Sequence, residues 1–155
     1  MSFVTGEGIA AFTENFISKK HQVKPYSLEL TVAKVFLVRK GGDIDFGGSE
    51  QKEAILHELA PVRRSSEAKY GWWNMAAGEY VVKFNEKARI PDNCIGIVQP
   101  LLRTLKAGVI HPTLFLTGGE ETDMTVLSVG RGGFNIKENA RISSLMGMIN
   151  RRDHG

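Results

Sequence analysis

Apolar residues recur along this chain at two different periods. Between residues 6 and 19, Ile9, Phe12, Phe16 and Ile17 fall three and four positions apart, which predicts one helix with a single apolar stripe. Thr5 stands where a capping hydroxyl belongs, and Lys19 and Lys20 suit the carbonyl end. After Pro25 the pattern shortens. Leu28, Leu30, Val32 and the run Val35–Val38 predict a strand that stops at Lys40-Gly41-Gly42-Asp43. Residues 44–70 are polar and mixed and read as a long loop or an irregular hairpin. From Trp72 onward strand signals come close together: 79–84 after the turn at Gly78, 88–91 ending at Pro91, 95–98, 113–116 and 124–129, then 134–136 and 141–146. Residues 101–107 read as a short helical turn. Gly130-Arg131-Gly132-Gly133 reads as the turn of a hairpin joining 124–129 to 134–136. Many short strands with a turn every 8–12 residues predict a mainly β barrel or sandwich, with the early helix as an accessory.

Composition narrows the class. A chain of 155 residues, 42% hydrophobic and 24% charged, suits one globular domain, 1–155, with a sizeable core. No apolar run approaches the roughly 18 residues of a membrane helix. The first eight residues lack a basic start followed by an apolar block, so no secretory signal is expected and the chain reads as intracellular, in the cytoplasm. Cys94 is the only cysteine, which excludes an internal disulfide and any zinc-site spacing. The net charge of +3 fits a pocket for a phosphate-bearing small molecule, and equally no ligand. The basic residues come as the pairs Lys19-Lys20, Arg63-Arg64 and Arg151-Arg152. They do not form a stripe, so nucleic acid is not the expected partner. Trp72 and Trp73 have the shape to stack on a base, but also to cover a barrel end or a subunit contact. Tyr80 and Phe84 share a strand face and read as core or interface.

Four segments in order carry a resemblance. They are Gln22–Thr31; Gly78–Glu86 followed by Arg89-Ile90-Pro91; Pro100–Gly108 followed by His111 and Thr113; and Asn139–Leu145. Together, over residues 22–148, they resemble the dUTPase/dCTP deaminase superfamily, closest to its archaeal type. The resemblance implies a distorted β-barrel or jelly roll with a short N-terminal helix, assembled as a homotrimer with sites between subunits. It implies deoxynucleoside triphosphate substrates held with magnesium. Water would be oriented by an Asp in the dUTPase branch or activated by a Glu in the deaminase branch. The phosphates would be held by a Pro-Arg-Ser-Ser or Pro-Arg-Ser-Gly stretch.

The chain departs from that pattern at the residues that matter chemically. Pro100 and Gly108 keep the frame, but Leu101 and Leu102 stand where Arg and Ser are implied, and leucine donates no hydrogen bond. Each charge-assisted bond so lost contributes roughly 1.5–3 kcal/mol. Arg103 and Thr104 follow at the wrong phase. They take the Arg and Ser roles only if the motif slips by two, which the preserved Pro-to-Gly spacing opposes. Lys106 replaces an Arg, keeping charge without the bidentate fork. The implied Asp aligns with Thr117 or Gly118, followed by Gly119, and the implied Glu with Ser128; none of these acts as a general base near neutral pH unaided. Glu120, Glu121 and Asp123 stand nearby, as substitute acids or as a charged turn in solvent. Glu29 falls where dUTPases place a magnesium-supporting Asp, and also reads as an ordinary strand-end acid. Arg141 suits an ion pair or a phosphate contact. His111 matches a family His and, beside Pro112, reads as structural. The expectation is a degenerate member acting as a weak nucleotide-binding or scaffolding trimer. The alternative is an active dUTP diphosphatase or dCTP deaminase with a rearranged site, using Arg103 or Lys106 on phosphate and one of Glu29, Glu120, Glu121 or Asp123 as the acid.

Overall fold

The computed structural model describes residues 1–151. Its elements are, in order, β1 (Ser2–Phe3), α1 (Gly6–Ala10), β2 (Thr13–Glu14), α2 (Lys19–Gln22), β3 (Leu28–Lys40), β4 (Ile55–Leu59), β5 (Trp72–Met75) and β6 (Gly78–Phe84). There follow β7 (Lys87–Ala88), β8 (Cys94–Pro100), α3 (Leu102–Lys106), β9 (Val109–Ile110), β10 (Leu114–Leu116), β11 (Met124–Val129), β12 (Phe134–Lys137) and β13 (Arg141–Ile149). The protein is mainly β, as the strand signals predict. Arg152, half of the third basic pair, lies outside the described residues.

Nine strands form one antiparallel sheet in the order β10-β8-β13-β3-β6-β11-β9, with β1 on β13 and β4 on β3. Long β3 organises it. Residues 28–31 pair with β13, and residues 35–40 pair with β4, which takes over that edge where β13 leaves it. The strands alternate as a half-buried sheet requires: Tyr80, Val82 and Phe84 of β6 point into the core while Glu79 and Lys83 face outward. Tyr80 lies opposite Leu127, and Val82 between Val35 and Thr125, so one inward row runs across three strands. Each such aliphatic side chain taken from water contributes about 1.5–3 kcal/mol. Strands β8 and β9 lie far apart in the sheet order, yet only five-residue α3 and its flanks join them. The sheet is therefore curled, and α3 spans the gap between its ends.

Two expectations are corrected. The helix predicted over 6–19 is broken into α1 and α2. Thr5 does cap α1, accepting from Gly8 N at 3.1 Å, but Thr13 turns its hydroxyl onto Ile9 O at 2.7 Å and enters β2, which pairs with β7. Asn15, at φ +68°, then ends any helical path. Three of the four stripe residues still pack: Ile9 is fully buried, and Phe12 and Phe16 lie against the core, while Ile17 is half exposed. Second, 124–129 and 134–136 do not form a hairpin. The turn exists, with Gly133 at φ +73° and its N–H bonded to Gly130 O at 3.0 Å, but β11 pairs with β6 and β9 while β12 leaves to pair with β5. Pairing with β5 sets Phe134 opposite Met75 and Ile136 opposite Trp73, and Met75, Trp73 and Ile136 are buried there. The uncertain stretch 44–70 resolves as an irregular hairpin, with an Asp43–Lys52 bridge and β4 returning along β3. Trp73 joins the core and donates to Leu59 O at 2.8 Å.

Candidate functional site

Pro100 ends β8, and the next residues turn into α3. Leu101 N donates to Ile142 O at 2.9 Å, and Thr104 Oγ1 donates to the same carbonyl at 2.6 Å. Arg103 lays its guanidinium on Arg141 O, with Nε at 3.1 Å and Nη2 at 2.6 Å. The helix is thus riveted to the start of β13. Beside it opens a cleft of about 310 Å³ lined by Trp72, Arg103, Thr104, Phe134, Lys137 and Arg141, among others. The face of Trp72 carries the Arg64 guanidinium at 3.6 Å from the ring centroid, and Lys137 Nζ lies 5.8 Å away. The cleft is basic and apolar together.

Three of the four phosphate candidates, Arg103, Thr104 and Arg141, line this cleft, and each is already engaged. Besides the bonds of Arg103 and Thr104, Arg141 Nη1 donates to His21 O at 3.0 Å and to Glu29 Oε1 at 2.8 Å. Lys106 is exposed on α3 outside the cleft lining. Leu101 is half-buried and Leu102 is 67% exposed, an apolar surface where the resemblance implies an Arg and a Ser.

Magnesium was to be supported by Glu29. A hard cation of that size needs several oxygen ligands with open lone pairs. The Glu29 carboxylate answers Arg141 instead, and among the described residues no three His, Cys, Asp or Glu side chains gather where a metal could sit. The described residues do not gather the ligand set such an ion needs.

The three turn acids lie elsewhere, on the β10–β11 connection, and none lines the cleft beside α3. Glu120 Oε1 accepts from Thr117 N at 2.8 Å and from Thr117 Oγ1, and these bonds hold its carboxyl below the ordinary range. Glu121 pairs with Lys87 at 3.3 Å and Arg89 at 3.4 Å. Asp123 borders an apolar cavity of about 350 Å³ with Phe84, Leu114 and Met124. Gly118 admits no side chain: a Cβ there would meet Asp92 Cα at 2.6 Å.

His111 is buried. Its Nδ1 lies 2.9 Å from Pro112 O, which can only accept, so Nδ1 carries the proton and Nε2 accepts from Ser143 Oγ at 2.8 Å. Burial pulls its pKa below the usual imidazole value. The pair ties β13 to the segment after β9.

Two acids escape the sequence reading. Glu79 stands directly opposite Ser128 in the β6–β11 register and accepts from Ser128 Oγ at 3.0 Å on the exposed face. A polar residue in phase with the outward face of a strand was the available signal. Glu86, 1% exposed, accepts from Thr31 N at 2.7 Å, Gln22 Nε2 at 2.8 Å and Thr31 Oγ1. In sequence it looks like an ordinary turn acid.

No protein-family model matches the chain. A probable deoxyuridine 5'-triphosphate nucleotidohydrolase from Methanosarcina mazei is 30% identical over 135 residues, covering 86% of this chain and 75% of the relative. The chain belongs to the dUTPase/dCTP deaminase superfamily. A second relative of the same description, from Methanosarcina acetivorans, is 28% identical over 135 residues, with the same coverage of both chains. Among solved structures, the 2'-deoxycytidine 5'-triphosphate deaminase from Agrobacterium tumefaciens superposes with a TM-score of 0.69 at 16% identity, over 96% of this chain. This chain spans 48% of the length of that deaminase, and the likeness concerns the fold alone. The mainly β, curled antiparallel sheet described above thus matches the dUTPase-like fold.

Proposed function

We propose that this protein is a non-catalytic member of the superfamily: a single-domain homotrimer of the cytoplasm that binds a deoxynucleoside triphosphate weakly or serves as a scaffold. One observation carries the reading. The positions of the implied Arg and Ser are apolar, at Leu101 and Leu102, and the three phosphate candidates that line the cleft are already bonded within the chain, while Lys106 is exposed outside it. Arg103 donates to Arg141 O, Arg141 to Glu29, Thr104 to Ile142 O, and Thr117 to Glu120. Each guanidinium keeps N–H groups outside these bonds, but its position is set by the chain and not by a ligand, and Glu29 offsets the charge of Arg141, so binding is weakened. Calorimetric titration with a non-hydrolysable dUTP analogue and magnesium tests this. The expected result is weak binding that Leu101→Arg improves about tenfold or more by restoring one charge-assisted bond. Low-micromolar binding by the unaltered protein would overturn the proposal, because it requires a working phosphate site.

A second reading is favoured by Glu79. Its carboxylate stands on the Oγ of Ser128, the position where the family resemblance implies an acid. On that reading the protein is an active dUTP diphosphatase or dCTP deaminase with Glu79 as the displaced base, and magnesium would come with the substrate. Its mark would be turnover that Glu79→Gln abolishes without loss of folding.

A further inference from the structure

Between β3 and β4 the chain runs out as an arm, residues 41–54. Its base is closed by the Asp43–Lys52 bridge, with both backbone hydrogen bonds at 2.9 Å. At its tip the Asp45 carboxylate accepts from Gly48 N and Glu50 N, each at 2.9 Å, and pins the turn. This ordered turn leaves Phe46 fully exposed and Ile44 90% exposed, two residues apart. Large apolar side chains held ready in water by a built turn are arranged for contact, since the ordering cost of docking is already met.

Charge selects the receptor. The arm carries Asp43, Asp45, Glu50 and Glu53 against Lys52, on a chain whose net charge is +3. The apolar cavity beside β10 bears Glu121 and Asp123 and repels such an arm. The cavity beneath Ile44 is the arm's own base. The cleft beside α3 has the complementary character: Arg103 and Lys137 at its rim, and Trp72, Phe134 and Ile136 within.

We propose that the arm of one copy docks, Phe46 foremost, in the Trp72–Arg103–Lys137 cleft of a second copy, so that each cleft is completed by a neighbour. The inference rests on the self-assembly in the proposed function and names its surface. It is tested by sedimentation of the unaltered protein and of the double variant Ile44→Ser/Phe46→Ser. Both side chains are exposed, so the circular dichroism spectrum should be unchanged while association weakens at least about tenfold. A second arm uses Cys94→Ala backgrounds, because Cys94 is the only thiol. Phe46→Cys protein mixed with Asn135→Cys protein should form a mixed disulfide dimer on mild oxidation. An oligomer whose mass is indifferent to the double variant overturns the inference, as does an unaltered protein that stays monomeric at high concentration. An oligomer giving no mixed disulfide also overturns it. Nucleotide turnover by the unaltered protein would sink the non-catalytic reading and leave this docking intact.

Discussion

Two acid-bearing regions of this molecule make opposite use of carboxylates. On the inner side of β3, Glu86 is buried and collects three donors, joining Gln22, Thr31 and, through Thr31 Oγ1, Asn85 into one network. On the β10–β11 connection, Glu120 and Glu121 lie at the surface and hold a turn to itself and to two cations. Neither region presents a free carboxylate to the cleft beside α3. In both regions the carboxylates hold structure together, at high stakes inside and low stakes outside.

The contrast is broken most severely by Glu86→Ala. It strands buried donors, and a loss of about 3 kcal/mol in urea unfolding is expected. A loss under about 1 kcal/mol would show that water replaces the carboxylate and that the network is not the anchor described.

Arg141→Ala comes next. It leaves Glu29 without its cation beside the cleft. With the arginine side chain 30% exposed and the glutamate 14%, a loss of about 1–2 kcal/mol is expected after screening.

A pH series sharpens the comparison at His111. Its folded pKa lies below the unfolded value, so the unfolded chain takes up a proton first as acid is added. Stability should therefore be fully present above about pH 6.5 and fall as pH drops through that value towards the lower folded pKa. In His111→Asn this part of the slope should vanish; an unchanged slope would assign it to other groups. The smallest effect is expected of Glu121→Gln, under about 0.5 kcal/mol, because its partners are largely solvated and screened.

Much of the fold was legible because strand signals are local. The alternation of Tyr80, Val82 and Phe84 with outward Glu79 and Lys83 needs only its own residues to be read. The helix over 6–19 failed because its competitor, the β2–β7 pairing, lies more than 70 residues away in the chain. The 124–136 hairpin failed because β12 finds a better partner in β5. At the candidate site, Leu101 and Leu102 stand out in sequence only against the family resemblance, which implies an Arg and a Ser there. The engagement of Arg103 with Arg141 O was not legible, and neither was the burial of Glu86, since each depends on contacts between distant segments.

On the proposed reading, this chain keeps a nucleotide-enzyme fold without its chemistry. The most direct test of that reading is pyrophosphate and ammonia release from dUTP and dCTP with magnesium, on purified protein of verified oligomeric mass and intact fold. The account predicts no release above the no-enzyme rate at high protein concentration. Turnover that disappears in Glu79→Gln, or in a substitution of Glu29, Glu120, Glu121 or Asp123, would contradict it and identify the working acid.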